Sequence, residues 1–239
     1  MRTYCLHLDR CNQRCIFCMK SEHIGIQKHV SYRRLCDEIL LAQKRGYDNV
    51  DFYGGEPTTF AFLKRLIRFV NAQGMTATLA TNGLRFASQR YTDDFFSGVS
   101  LAGIRTSLHS IYPEIHDLVT QVPGSYARTI RGIQNILRHN RCISVNTVVT
   151  QLNYRLLPRI PAHIYRMGVR GIKFSGLLSR GAAQDHAWLL VKDELVYEYL
   201  EKAYQNARKL GFLNIEGEKL KPDFFKRREL SFVRFMGEK

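Results

Sequence analysis

Apolar residues recur along the chain in two rhythms that take turns. In short stretches they alternate one for one with polar residues, as at Cys5-Leu6-His7-Leu8. In longer stretches they return at three- and four-residue spacing, as at Leu63, Leu66, Ile67 and Val70. The first period suits a strand and the second a helix. The pattern predicts strands at Thr3–Leu8, Asn49–Tyr53, Thr76–Thr81, Ile104–Leu108, Ile143–Val149 and Gly171–Phe174. It predicts helices at Tyr32–Arg45, Phe62–Gln73, Thr92–Phe96, Tyr126–His139, Arg155–Met167 and Asp193–Leu210. Gly46, Gly74, Gly168 and Gly211 follow four of the helices as stop signals. Strands alternating with helices imply βαβ units, right-handed crossovers and a parallel sheet.

A parallel sheet covered on both faces is apolar on both faces. Here one face is polar in most strands. Cys5, His7 and Asp9 share a face opposite Leu6 and Leu8, and Asp51 and Tyr53 oppose Val50 and Phe52. Arg105, Ser107 and His109 oppose Ile104, Thr106 and Leu108. Ser144 and Asn146 oppose Val145 and Thr147, and Lys173 and Ser175 oppose Ile172 and Phe174. The apolar face must carry the helices, so the polar face looks into something wet or occupied. A closed eight-stranded barrel fills its interior with branched apolar side chains. The expected fold is therefore α/β: a partial (βα)6 TIM-like barrel with parallel strands and an open, polar lumen. Residues 1–213 form that core and residues 214–239 a basic C-terminal tail or cap, whose apolar residues include Phe224, Phe225, Phe232 and Phe235.

The chain has 239 residues, 45% of them hydrophobic and 24% charged, which is ordinary for a folded soluble protein and excludes a disordered or collagen-like chain. No run of 18 apolar residues marks a membrane span, and the start lacks the apolar core of a secretory signal. A cytoplasmic location is expected, where thiols stay reduced. The formal charge is +15. From Leu118 to Gln184 there is no Asp or Glu, but there are Arg128, Arg131, Arg138, Arg141, Arg155, Arg159, Arg166, Arg170, Lys173 and Arg180. Such a stretch suits an anionic partner (nucleic acid, a phosphorylated metabolite or an acidic peptide) or simply solvated helix faces. No nucleic-acid motif accompanies it.

Three of the six cysteines, Cys11, Cys15 and Cys18, crowd into one short loop after the first strand. The others, Cys5, Cys36 and Cys142, are expected to pack as small buried hydrophobes. In a reducing compartment the crowding argues for metal rather than disulfides. The loop lies at the carboxyl end of the sheet, where α/β proteins bind ligands. Three thiolates can hold three corners of an iron–sulfur cubane and leave the fourth iron open. The alternative is a structural zinc site, with His23 or His7 completing a Cys3His set, although such sites usually come as two ligand pairs.

Cys11-x3-Cys15-x2-Cys18, with Phe17 before the last cysteine, resembles the signature of the radical S-adenosylmethionine (radical SAM) superfamily. Gly54-Gly55-Glu56-Pro57 after the second strand resembles that family's GGEP motif, and Thr81-Asn82-Gly83 after the third resembles its TNG. Ser107 resembles the serine ending its fourth strand, and Gly124-Ser125-Tyr126-Ala127-Arg128-Thr129 a helix start in its peptide- and cofactor-modifying branch. The resemblance runs from Thr3 to Arg180. It implies a 4Fe–4S cluster on Cys11, Cys15 and Cys18, with S-adenosylmethionine chelating the open iron. The family's chemistry is reductive cleavage of that molecule to methionine and a 5′-deoxyadenosyl radical, which takes a hydrogen atom from a substrate. It implies S-adenosylmethionine contacts at Phe17, Gly54, Gly55, Glu56, Pro57, Asn82, Ser107 and Arg128. In this reading Gly54 and Gly55 allow close backbone approach, Glu56 faces the amino group and Arg128 the carboxylate. His7, Asp9, Tyr53, His109, Asn146 and Ser175 are candidate lumen or substrate groups.

The implied partners are a peptide, nucleotide or small anionic substrate and an external one-electron reductant of the flavodoxin or ferredoxin kind. No cysteine follows Cys142, so the auxiliary clusters of many peptide-maturing relatives are expected to be absent. Two further functions compete: an activase that installs a glycyl radical on a partner enzyme, and a zinc- and nucleic-acid-binding protein. Under the last, Glu56, Asn82 and Ser107 have no reason to converge.

Overall fold

A computed structural model describes residues 1–21, 31–139, 141–220 and 230–236. His23, Phe224 and Phe225 lie outside the described residues, as do the rest of 221–229 and 237–239 in the predicted tail. The strands are β1 (Thr3–Leu8), β2 (Asn49–Gly54), β3 (Thr76–Thr81), β4 (Gly103–Ser107), β5 (Ile143–Val148), β6 (Gly171–Ser175), β7 (Asn214–Glu218) and β8 (Arg234–Met236). They form one sheet in chain order, every neighbouring pair parallel. Among the described residues β8 does not pair back to β1, so the barrel is open. The predicted α/β partial barrel is the observed fold. The six predicted strands are present, and two more extend the sheet. Residues 214–218 and 234–236, assigned from sequence to a tail, therefore belong to the sheet.

The helices are α1 (Tyr32–Lys44), α2 (Leu63–Ala72), α3 (Gln89–Phe96), α4 (Pro113–Thr120), α5 (Ser125–Arg138), α6 (Ile160–Arg166), α7 (Ala182–Asp185) and α8 (Asp193–Leu210). Their ends follow local chemistry. The Ser31 hydroxyl caps α1 by accepting from the Arg34 amide at 3.2 Å. Acidic Asp193 and Glu194 open α8 and basic Arg208 and Lys209 close it, matching the helix dipole. The single helix predicted at Arg155–Met167 is split. Pro158 and Pro161 lack amide donors, so Tyr154–Arg159 winds as a 3-10 segment before α6 begins.

Side-chain alternation decides the layers. Leu6, Leu8, Val50, Phe52, Leu79, Ile104, Val145, Ile172 and Phe174 point outward and are buried under the helices in one continuous core. Most of the polar partners, His7 excepted, point inward onto a cavity of about 1130 Å³ that runs the length of the barrel. Charge inside it is held in pairs. Arg105 meets Asp51 at 3.2 Å, and the buried Lys173 meets Glu218 at 2.6 Å. The Thr78 hydroxyl donates to Asp51 at 2.8 Å, and the Ser175 hydroxyl to Asn146 at 2.8 Å.

Candidate functional site: the cysteine loop and the rim of the lumen

The segment between β1 and α1 carries Cys11, Cys15 and Cys18, and four neighbours brace it. The Glu56 amide donates to the Arg10 carbonyl at 2.6 Å. The Arg14 and Ile16 amides donate to the Thr120 and Val119 carbonyls at the end of α4, at 3.1 and 3.0 Å. Asn82 donates through its side-chain amide to Asn12 Oδ1 at 2.6 Å. The Ala182 amide, opening α7, donates to the Cys18 carbonyl at 3.0 Å. The three thiols line the upper end of the lumen together. The Gln13 amide donates to Cys11 Sγ at 3.4 Å, and the Cys15 thiol donates to Gln13 Oε1 at 3.6 Å.

Burial pushes the Cys11 thiol up to about 11 and Cys15 higher still, and it raises Cys18 with Lys20 opposing. Thiolates desolvated in this way need a cation to hold them deprotonated, which a metal supplies. Among the described residues no group of three or more His, Cys, Asp and Glu side chains is placed to hold a single metal ion. Three sulfur donors around a shared opening fit an iron–sulfur cluster with one corner left to another ligand.

The glycine pair sits beside this loop for a reason of packing. The Gly55 amide donates to the Leu8 carbonyl at 2.7 Å. A Cβ on Gly55 would overlap the Arg10 carbonyl, and one on Gly54, whose φ is +133°, would lie 2.7 Å from the Leu8 amide nitrogen. The missing Cβ atoms let the turn press against the root of the cysteine loop.

Glu56 has a similar internal task. It is fully buried. Its Oε1 accepts from the Thr58 amide at 3.1 Å, the Thr58 hydroxyl at 2.5 Å and the Thr81 hydroxyl at 2.7 Å, while Oε2 accepts from the Asn82 amide at 2.6 Å. A carboxylate has about four lone-pair sites; three donors crowd Oε1 and one meets Oε2. Burial raises the Glu56 pKa against those hydrogen bonds. In this arrangement the side chain ties the turn at Pro57 to the end of β3.

The Thr81-Asn82-Gly83 turn is held from the other side by α5. A Cβ on Gly132 would overlap the Gly83 carbonyl, so glycine lets the helix touch the turn. The Thr129 hydroxyl donates to the Asn82 carbonyl at 3.1 Å, and Asn82 Oδ1 accepts from the Leu84 amide at 3.1 Å.

Phe17, Tyr53, Gly54, Gly55, Asn82, Ser107, His109, Asn146 and Ser175 all line the lumen with the three cysteines. Phe17 meets His109 edge-on at 4.9 Å. His109 Nδ1 faces the Val148 amide at 3.4 Å, and burial, then neighbouring His116, hold it well below the usual histidine range. Pro57 is buried at the start of its 3-10 turn, outside the lining. His7 is exposed beyond the lining, with Nδ1 2.5 Å from Lys20 Nζ, and Asp9 is exposed as well. Arg128 is not brought to the rim: it is exposed on the first turn of α5, off the lumen, because Ser125, Thr129 and Gly132 turn inward instead. Cys5 and Cys142 are exposed on the lumen rather than packed, so strand parity prevails over hydrophobicity there, while Cys36 is buried as expected. Sequence reasoning missed Asn12, whose partner is distant in the chain, and Glu218 and Lys219, which sit on and after the unforeseen β7.

A family model for the radical SAM superfamily matches residues 5–155. The chain belongs to that superfamily. A probable GTP 3′,8-cyclase of Thermococcus kodakarensis is 27% identical over 151 residues, covering 61% of this chain and 47% of the relative. An S-adenosylmethionine-dependent nucleotide dehydratase of Lacinutrix mariniflava is 29% identical over 157 residues, covering 61% and 32%. The chain thus spans about half or less of these radical SAM relatives. Streptococcus suis SuiB, solved with its precursor peptide SuiA, superposes with a TM-score of 0.68 at 13% identity, covering 99% of this chain and 48% of that one. That likeness is one of fold. No described helix is long and apolar enough to cross a membrane.

Proposed function

We propose that this radical SAM protein cleaves S-adenosylmethionine reductively and directs the resulting hydrogen abstraction at an anionic substrate held in the lumen. The observation that carries the reading is convergence. Three thiols, the Gly54–Gly55 turn, the Asn82 turn and Ser107 come from four different strands and meet at one end of one cavity.

Cys11, Cys15 and Cys18 would hold a 4Fe–4S cluster. Bound there, the cluster would supply one electron to the sulfonium of S-adenosylmethionine, so that the carbon–sulfur bond breaks to methionine and a 5′-deoxyadenosyl radical. The chain's own work is placement. Bracing by α4, α7, Glu56 and Asn82 keeps the thiols in register with the rim, since misplacement of reacting groups by about an ångström is costly. Phe17 and His109 wall the adenosyl side, and Ser107 and Asn146 offer hydroxyl and amide groups to ligand oxygens. The covered apolar wall keeps bulk water from the outer face of the sheet. An external one-electron reductant of the flavodoxin or ferredoxin kind completes the reaction.

Anaerobic reconstitution with iron and sulfide should give the broad absorption of an iron–sulfur cluster, bleached by dithionite. The reduced protein should then release 5′-deoxyadenosine and methionine. Cys15→Ala should abolish both signals. Stoichiometric zinc without cluster absorption would sink the proposal.

A further inference from the structure

The lumen's charge is unequal. Seven Lys and Arg side chains line it against three carboxylates, Asp51, Glu216 and Glu218. Asp51 and Glu218 are engaged by Arg105 and Lys173 in mid-barrel. At the amino end of the strands, opposite the thiols, lie Arg141 just before β5, Arg170 just before β6 and Arg234 opening β8. Among the described residues none of the three is ion-paired. Arg141 Nε is buried without a hydrogen-bond partner, its Nη2 donates to the Val99 carbonyl at 3.4 Å, and its guanidinium lies over the Phe96 ring, 5.2 Å from the centroid. Arg170 spends Nη1 on the Tyr165 and Val169 carbonyls, each at 3.0 Å, and stacks on the Tyr165 ring at 3.8 Å, with Nε and Nη2 making no hydrogen bond among the described residues. Glu216 is the third lining acid. It stands in register between Lys173 and Arg234 and accepts from Asn214 at 3.1 Å, so it offsets only part of the charge.

A buried guanidinium nitrogen without an acceptor is costly. Guanidinium forks match phosphate oxygens in pairs, better than lysines do. The strands span on the order of 15–20 Å from this end to the thiols. We propose that Arg141, Arg170 and Arg234 form an anion site at the amino end of the lumen, which takes the phosphates of a small phosphorylated substrate and leaves its reactive carbon toward the thiols. The assignment of a substrate to this lumen rests on the proposed function; the anion site itself can be tested without it.

The purified chain, without cluster or S-adenosylmethionine, is titrated calorimetrically with inorganic tripolyphosphate. One equivalent should bind. Arg141→Gln and Arg170→Gln should each weaken it about tenfold, whereas Arg131→Gln and Arg166→Gln, on the exposed outer faces of α5 and α6, should change it less than about twofold. Arg141→Lys, which keeps the charge but not the fork, should fall between and serves where the Gln variant does not fold. Equal losses from inner and outer variants, no binding by the wild type, or preference for a glutamate peptide of matched charge would each overturn the site. In the reconstituted protein, substrate-free release of 5′-deoxyadenosine should be the same for wild type and Arg131→Gln. If neither releases it while the tripolyphosphate pattern holds, the cleavage reading fails and the anion site stands.

Discussion

Glu56→Gln separates two roles for one carboxylate. The family motif suggests that it faces a ligand's amino group; in the structure four protein donors surround it, three on Oε1 and the Asn82 amide on Oε2. Glutamine can present one oxygen to the three donors at Oε1. Its amide nitrogen then meets the Asn82 N–H, donor against donor, in a fully buried position. The variant loses one charge-assisted hydrogen bond and strands one buried N–H. Together these cost about 2–4 kcal/mol, since the two effects overlap. For a chain of this size that lowers the melting temperature by about 5–15 °C. Urea unfolding should show the loss as a lower midpoint at unchanged slope. Adding Thr81→Val should cost less in the Glu56→Gln variant than in the wild type, because the two positions share a hydrogen bond. Well below the unfolding midpoint, affinity for S-adenosylmethionine should stay within about threefold of wild type. An unchanged urea midpoint with strongly weakened S-adenosylmethionine binding would refute the reasoning and return the carboxylate to the ligand.

Gly55→Ala should leave the far-ultraviolet circular dichroism intact but reduce iron bound per chain on reconstitution, because the new methyl pushes the Arg10 carbonyl and with it the cysteine loop; full iron loading would contradict the packing argument. Asp51→Asn should destabilise the barrel by about 1–2 kcal/mol in urea, because it weakens the hold on the Arg105 guanidinium, which is partly open to the lumen; a neutral result would mean that water already solvates that pair. Asp117 accepts from the Gly124 and Tyr126 amides at 2.6 and 2.7 Å and from the Ser125 hydroxyl at 2.8 Å. Burial raises its pKa, but these bonds and His116 outweigh it and hold it below the ordinary aspartate value. A depressed carboxylate contributes stability above its unfolded pKa and loses it as pH falls through the folded one. Asp117→Asn should therefore cost about 1–2 kcal/mol at neutral pH, with the gap closing below about pH 4. A gap independent of pH would show that shape rather than charge starts α5.

How far the fold could be read in advance depended on where apolar residues repeat. Leu6 and Leu8, or Ile172 and Phe174, betray their strands because a core lies on one side only. Asn214–Glu218 carries one isoleucine among Asn, Gly and Glu, so β7 shows no alternation to detect. The helix α4 was missed because it ends at Gln121 in the left-handed region, φ 56°, where a glycine would have marked the stop. The site shows the same division. The motif residues were placed correctly at the carboxyl ends of strands, because strand period and motif order are both local. Their tasks are not local. Whether Glu56 serves a ligand or the Asn82 amide depends on a contact 26 residues away, and Asn12 becomes visible only through Asn82, 70 residues on. Arg128 shows the converse, a matching motif residue that the helix turns outward. The rim motifs speak for cleavage of S-adenosylmethionine, which a whole superfamily shares. What distinguishes one substrate from another must be sought in lumen charges such as Arg141, Arg170 and Arg234, which no motif marks and which only the closing of strands around one cavity brings together.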